Sequence, residues 1–194
     1  MKNLLVFFAI CFLFSSLIYA ENFKNTDEQL NEKTFGQFMS WVFDGKESPE
    51  RAIIETSNEW QQLTINQSNY AVWIGHATYL INNGDINILT DPIFSERASP
   101  IGFAGPKRMI PPAMNLEDLP KIDAVVVSHN HYDHFDMWSL KKLHKLNPET
   151  IFMVPAGDKK RLIKAGLTRV FEMGWWDTKK ISKTNFHFTP VQHW

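Results

Sequence analysis

Ser128-His129-Asn130-His131-Tyr132-Asp133-His134-Phe135-Asp136 puts three histidines and two aspartates into eight residues, directly after the apolar run Ile122 to Val127. Imidazole nitrogen and carboxylate oxygen are the ligands that zinc takes in sites with a position left open for water. In an extended segment positions i and i+2 share a side, so His129 and His131 can hold one ion between them. Asp133 and His134 then begin a turn and can face a second ion. Satisfied core histidines do not come three to a turn, which makes a chance cluster the poorer explanation. The stretch predicts a two-metal hydrolytic centre at the end of a buried strand.

A further ligand has to come from elsewhere in the chain, and His193 is the best candidate. It follows an expected strand at 185–191, and sites on open sheets are built where strands end. His144 lies on an expected helix and His187 alternates within a strand, so both read as packing or surface residues. Asp91 closes the strand Leu89-Thr90-Asp91-Pro92. It is either a terminator before proline or a carboxylate that fixes the tautomer of a ligand histidine. His76, in Gly75-His76-Ala77-Thr78, is a pocket residue to which spacing alone assigns no role.

The rest of the sequence bounds what surrounds this centre. With 194 residues, 44% apolar and 21% charged, the chain has an ordinary globular composition with room for one domain and a small extension. A net charge of −1 argues against a general nucleic-acid binder, and no nucleic-acid partner is expected. Met1-Lys2 followed by the apolar run Leu4 to Ile18 and Ile18-Tyr19-Ala20 reads as a signal peptide over 1–20. An uncleaved anchor is the alternative. The expected location is therefore periplasmic or secreted, with membrane association not excluded. Cys11, the single cysteine, lies inside this segment, so cysteine ligands are not expected in the mature protein.

Residues 21–69 carry nine Asp/Glu against four Lys/Arg and read as a helical extension. One amphipathic helix is expected over Asp27 to Phe43, and a second from Ser48 toward Trp60. From residue 70 to 194 the pattern becomes that of a mixed α/β domain. Strands are expected at 71–75, 78–81 and 86–90, with Asn83-Gly84 as the hairpin signal between the last two. Phe94 to Leu119 reads as a functional loop, and Ile122 to Val127 as a buried strand. A helix over 136–146, a strand over 150–154, a helix over 158–165 and strands at 169–173 and 185–191 complete the series.

These motifs resemble the metallo-β-lactamase superfamily, whose His-x-His-x-Asp-His signature stands at 129–134. Within it they resemble the branch of phospholipases D that hydrolyse N-acyl-phosphatidylethanolamine. Trp73 to Thr78, Leu89 to Pro92, Arg97 to Pro100, Gly105 to Arg108, Ser128 to Asp136 and Pro190 to Trp194 read like that branch, in its order. The resemblance implies an αββα sandwich, of which this chain carries mainly the first half, and two zinc ions. It assigns His129, His131 and His193 to the first ion and Asp133 and His134 to the second, with Asp133 and His134 as catalytic residues and Asp91 behind the site. The implied reaction is attack of a metal hydroxide on a phospholipid phosphodiester, at or near a membrane surface. In the family a bridging aspartate and a further histidine follow the third histidine. Here the sequence stops one residue past His193, so the expectation is an incomplete domain, weakly folded and inactive by itself. A lactonase of the same superfamily and a non-catalytic metal-binding remnant are the competing readings.

Overall fold

From residue 69 onward apolar side chains alternate with polar ones, and the chain folds as strands. The computed structural model describes residues 57–66, 69–100, 102–103 and 105–191, together with Gly36. A short helix, α1 (Trp60–Asn66), leads into β1 (Asn69–Gly75). β1 turns Val72 and Ile74 inward and Trp73 outward, and β2 (Thr78–Asn83) buries Thr78 and Leu80 while exposing Tyr79. The antiparallel register sets Val72 opposite Leu80 and Trp73 opposite Tyr79, so apolar and exposed partners stay on their own faces. Gly84, with φ of +81°, supplies the turn into β3 (Asn87–Thr90).

β4 (Ala124–Val126), β5 (Ile151–Pro155) and β6 (Val170–Met173) run parallel to β3 and complete a sheet in the order β1-β2-β3-β4-β5-β6. Parallel neighbours need crossovers. α2 (Met137–Leu146) makes the one from β4 to β5, and α3 (Lys159–Lys164) the one from β5 to β6. The β3–β4 crossover is the long segment 91–123, which holds one 3-10 turn, Leu116–Asp118, and a bridge between Arg97 and Lys107.

The two faces of this sheet have different covers. Leu80, Leu89, Val125, Phe152 and Val154 pack against Phe135, Leu140, Leu143, Leu162 and Leu167 on the helical side. Each such side chain, when fully buried, contributes about 1.5–3 kcal/mol. On the other side Ile86, Ile88, Ala124, Met153 and Met173 meet Ile181, Phe186 and Phe188. These last come from the hairpin of β7 (Thr178–Ile181) and β8 (Thr184–His187) and its exit. Helices, a central sheet and a second small sheet thus follow one another, a mixed α/β arrangement in the layer order of the first half of an αββα sandwich.

The hairpin is where the structure departs most from expectation. β7 is unforeseen because Thr178-Lys179-Lys180-Ile181 has no apolar run and its turn has no glycine. Instead Ser182 adopts φ of +52°, held by its hydroxyl and the Lys183 N–H donating to Asp85 at 2.7 and 2.8 Å. The strand expected over 185–191 ends at His187, because its partner runs out. Trp176 turns away with φ of +70°, and Phe188 bonds only to the Trp176 and Asp177 backbone. The helix expected over Asp27–Phe43 and the start expected at Ser48 lie outside the described residues. Glu47–Thr189 forms one compact unit, and of the second, 1–46 with 190–194, only Gly36, Pro190 and Val191 are described. No helix among the described residues is long and apolar enough to cross a membrane.

Candidate metal centre

The site begins with the parallel register of β3 and β4, which sets Thr90 beside Val126 and brings both strands out at the same end. Asp91 therefore meets Ser128, the first residue of the histidine motif. Its backbone N–H donates to the Val126 carbonyl at 2.8 Å, and its φ of +35° turns the side chain under the motif. The buried Asp91 carboxylate is almost saturated. Oδ1 accepts from the Ser128 N–H and Oδ2 from the Ser128 hydroxyl, both at 2.7 Å, and Oδ2 lies 2.9 Å from His134 Nδ1.

This network assigns the imidazole tautomers. A carboxylate only accepts, so His134 carries its proton on Nδ1 and its lone pair on Nε2. Ser128 has one hydroxyl proton and donates it to Asp91. His129 Nδ1, 2.9 Å from the same hydroxyl, must then be the donor in that contact, which places its lone pair on Nε2 as well. One buried aspartate thus orients two histidines as metal ligands require.

Past Asn130, which donates to Asp158 at 3.4 Å, the chain turns. The N–H groups of His134 and Phe135 both donate to the His131 carbonyl, at 3.0 and 2.7 Å, and the buried Phe135 ring anchors the turn in the helical-side core. The ring centroids of His129 lie 4.8 Å from those of His131 and 4.1 Å from those of His134. One ligand atom each from His76, Asp133 and His134 falls within 4.8 Å of the others. Two imidazoles and a carboxylate at a strand end fit a divalent metal ion by donor chemistry. Burial alone lowers the His134 pKa, but the hydrogen bond and charge of Asp91, with the charge of Asp133, outweigh it and raise the pKa above its ordinary 6.5. For Asp133 burial acts upward, and His134, its own backbone N–H, His76 and His131 together bring it below 3.8.

The remaining expected residues fall apart from this cluster or outside it. His193 lies outside the described residues. His144 stacks edge-on against Phe152 in α2, and His187 faces Thr178 across the hairpin. Three residues that carried no assigned role in the sequence frame the site. Ser128 relays between Asp91 and His129. Asp136 caps α2 through Trp138 N and accepts from Ser95 N, Ser95 Oγ and the buried Ser139 Oγ, tying the long loop to the helix. His76 arrives on the β1–β2 turn, because antiparallel pairing with β3 carries that turn to the Asp91 end. A Gly-His pair between two strands was the available signal, but only the sheet register says where it points.

A family model described as a beta-lactamase superfamily domain matches residues 86–194, more than half of the chain. The chain belongs to the beta-lactamase superfamily. It is 41% identical over 133 residues to an N-acyl-phosphatidylethanolamine-hydrolyzing phospholipase D 1 of Caenorhabditis elegans, covering 64% of this chain and 37% of that protein. It is 37% identical over 131 residues to the mitochondrial N-acyl-phosphatidylethanolamine-hydrolyzing phospholipase D of Saccharomyces cerevisiae, covering 64% and 27%. Among solved structures it is similar to an isothiocyanate hydrolase from Delia radicum gut bacteria, with 24% identity, a TM-score of 0.43, and coverage of 57% and 43%. The superfamily chain thus spans well under half the length of the curated relatives it matches.

Proposed function

We propose that this superfamily chain carries the metal-binding part of a zinc-dependent hydrolase that cleaves the phosphodiester of N-acyl-phosphatidylethanolamine-like phospholipids. The observation that carries the metal reading is the Asp91 network, which leaves the Nε2 lone pairs of His129 and His134 as ligands beside Asp133. In this reading His129, His131 and His193 hold one ion, and Asp133 and His134 belong to the other. Such ions lower the pKa of water and stabilise charge on the attacked centre and on the leaving oxygen. The chain's own residues do the positioning. Asp91 fixes imidazole tautomer and direction, Phe135 fixes the turn, and Asp136 fixes the loop that walls the site.

The surroundings favour a lipid over a small polar lactone. Beside the motif opens a cleft of about 640 Å³, lined by Phe94, Tyr132, Phe135, Met137 and Trp138, with two arginines, Arg97 and Arg161, balanced by Glu96 and Asp136. A mainly apolar cleft of this kind suits an acyl chain. Export through the segment 1–20, and action at a membrane surface, belong to the same proposal. The test is incubation of a zinc-loaded form extended past Trp194 to the length of its relatives with vesicles containing N-acyl-phosphatidylethanolamine, with products followed by mass spectrometry. Phosphatidic acid and N-acylethanolamine are the expected products. Opening of a lactone without phosphodiester cleavage would move the assignment to the lactonase reading. Zinc binding with neither reaction would move it to a metal-binding remnant.

A further inference from the structure

The motif and the resemblance leave the second ion with only Asp133 and His134 as ligands within this chain, and neither gives His76 a role. The distances do. His76 Nε2 lies 3.4 Å from His134 Nε2 and 3.0 Å from Asp133 Oδ2, and the third edge, His134 Nε2 to Asp133 Oδ2, is 3.5 Å. Zinc binds imidazole and carboxylate at about 2.0–2.2 Å, so the ligand atoms of a tetrahedral site stand about 3.3–3.5 Å apart. Two edges of the triangle, at 3.4 and 3.5 Å, match one face of such a tetrahedron, and the third, at 3.0 Å, lies a few tenths of an ångström inside it. His76 Nε2 and Asp133 Oδ2 already pair at 3.0 Å, and a cation shared by the three atoms would satisfy all of them at once.

The backbone holds His76 in this position at a cost. Its φ is +50°, a conformation uncommon for a residue with a side chain, and it follows Gly75 at φ of +139°. The turn is tied down on both sides. Trp73 Nε1 donates to the His76 carbonyl at 2.9 Å, and Thr90 Oγ1 donates to the Ala77 carbonyl at 2.7 Å. Thr78, fully buried, donates through Oγ1 to the carbonyl of Asp91 at 2.8 Å. Asp91 in turn orients His134. The β1–β2 turn and the histidine motif thus share one frame, and the His76 and His134 rings meet edge to face at 4.9 Å.

We infer that His76 is a metal ligand, completing with Asp133 and His134 a three-residue site for a divalent zinc-type ion. The inference rests on the reading of this strand end as a metal centre and is independent of the substrate. It is tested on the 194-residue chain, freed of metal with a chelator and titrated with zinc. A parallel titration uses Co2+, whose visible absorption reports the ligand set. The variant is His76→Asn, since asparagine accepts the positive φ but is too short to reach the ion. The expected result is an unchanged circular dichroism spectrum, a loss of roughly tenfold or more in affinity for one equivalent of metal, and altered Co2+ bands. Affinity and bands equal to those of the unaltered chain would overturn it. The unaltered chain gives a second readout through 15N-labelled histidine resonances. His76 Nε2 should shift with the same equivalent of zinc as His134 Nε2, and a His76 ring that ignores zinc overturns the inference whatever the variant does. A chain that takes up no metal overturns both this inference and the metal-centre reading. Intact two-site metal binding without phosphodiester turnover, in a form extended past Trp194 to the length of its relatives, overturns only the proposed substrate.

Discussion

Asp91 and Asp133 stand on either side of His134, and their surroundings could hardly differ more. Asp91 is 6% exposed and meets three polar groups, two of them from Ser128. The Asp133 side chain is 40% exposed and lies 3.0 Å from His76 and 3.5 Å from His134. The buried carboxylate belongs to the fold, since three hydrogen-bonding groups would lose their partner without it. The exposed one stands in a group of His76, Asp133 and His134 that could hold a metal ion. The same division runs through the whole strand end. Ser128 holds the loop through Asp91, Phe135 through the core and Asp136 through Ser95, while His129, His131 and His134 stand beside them at the strand end. A site of this kind separates the residues that hold it from the residues that act.

Substitution at Asp91 should have the largest effect. Asp91→Ala strands the Ser128 N–H, the Ser128 hydroxyl and His134 Nδ1, and should destabilise the chain by about 3 kcal/mol or more, read by urea denaturation. Asp91→Asn tells the two roles apart. An amide nitrogen placed toward His134 Nδ1 would donate to it, driving the imidazole proton to Nε2. The expected result is a chain that still folds but binds zinc roughly 10–100-fold more weakly. Equal zinc affinity in Asp91→Asn would break the claim that this carboxylate sets the tautomer.

Asp136→Ala comes next. It removes the N-cap of α2 and the acceptor shared by Ser95 and Ser139, at an expected cost of about 2 kcal/mol. Zinc affinity should hardly change, because Asp136 touches no ligand histidine among the described residues. If zinc binding fell together with stability, the separation of holding from acting residues would not extend to this end of the motif.

Much of this was legible in the sequence, and the limits have physical causes. The motif's residue types and spacing suffice to announce a metal centre, because the chemistry is local. α2 and the strands from β1 to β5 were visible because each carries its own periodicity or continuous apolar run, with ends that differ by a residue or two. Asp91 could be suspected at a strand end, but whether it terminates the strand or orients a ligand depends on the parallel pairing of Thr90 with Val126. His76 was named without a role for the same reason. Its place depends on the pairing of Leu80 with Leu89 across β2 and β3, a relation between segments that neither displays alone. β7 stayed hidden because a lysine-rich strand is stabilised by its hairpin partner and by Asp85, 97 residues away from Ser182.

Asp133→Asn and the pH dependence should show the smallest changes in stability, and here the two aspartates can be compared within one measurement. The half-exposed Asp133 should tolerate the amide within about 0.5 kcal/mol, while losing a charged metal ligand. In the metal-free chain His134 has its pKa raised above 6.5 and Asp133 has its pKa lowered below 3.8. A raised histidine pKa adds stability that is complete below 6.5 and lost as pH rises through the folded value. A lowered aspartate pKa adds stability that is complete above 3.8 and lost as pH falls through the folded value. The metal-free chain should therefore gain most from this pair between the two titrations, in mildly acidic solution, and its melting temperature should decline as pH passes upward through the His134 titration. Zinc reverses the sign on the upper side, because it binds only the deprotonated imidazole, so the zinc-loaded chain should gain stability over the same rise in pH. In Asp133→Asn the acid-side loss should be smaller and the upper-side decline should persist, since Asp91 remains the main partner of His134. A decline that vanished with Asp133 alone would mean that the exposed aspartate, and not the buried one, holds the histidine's proton.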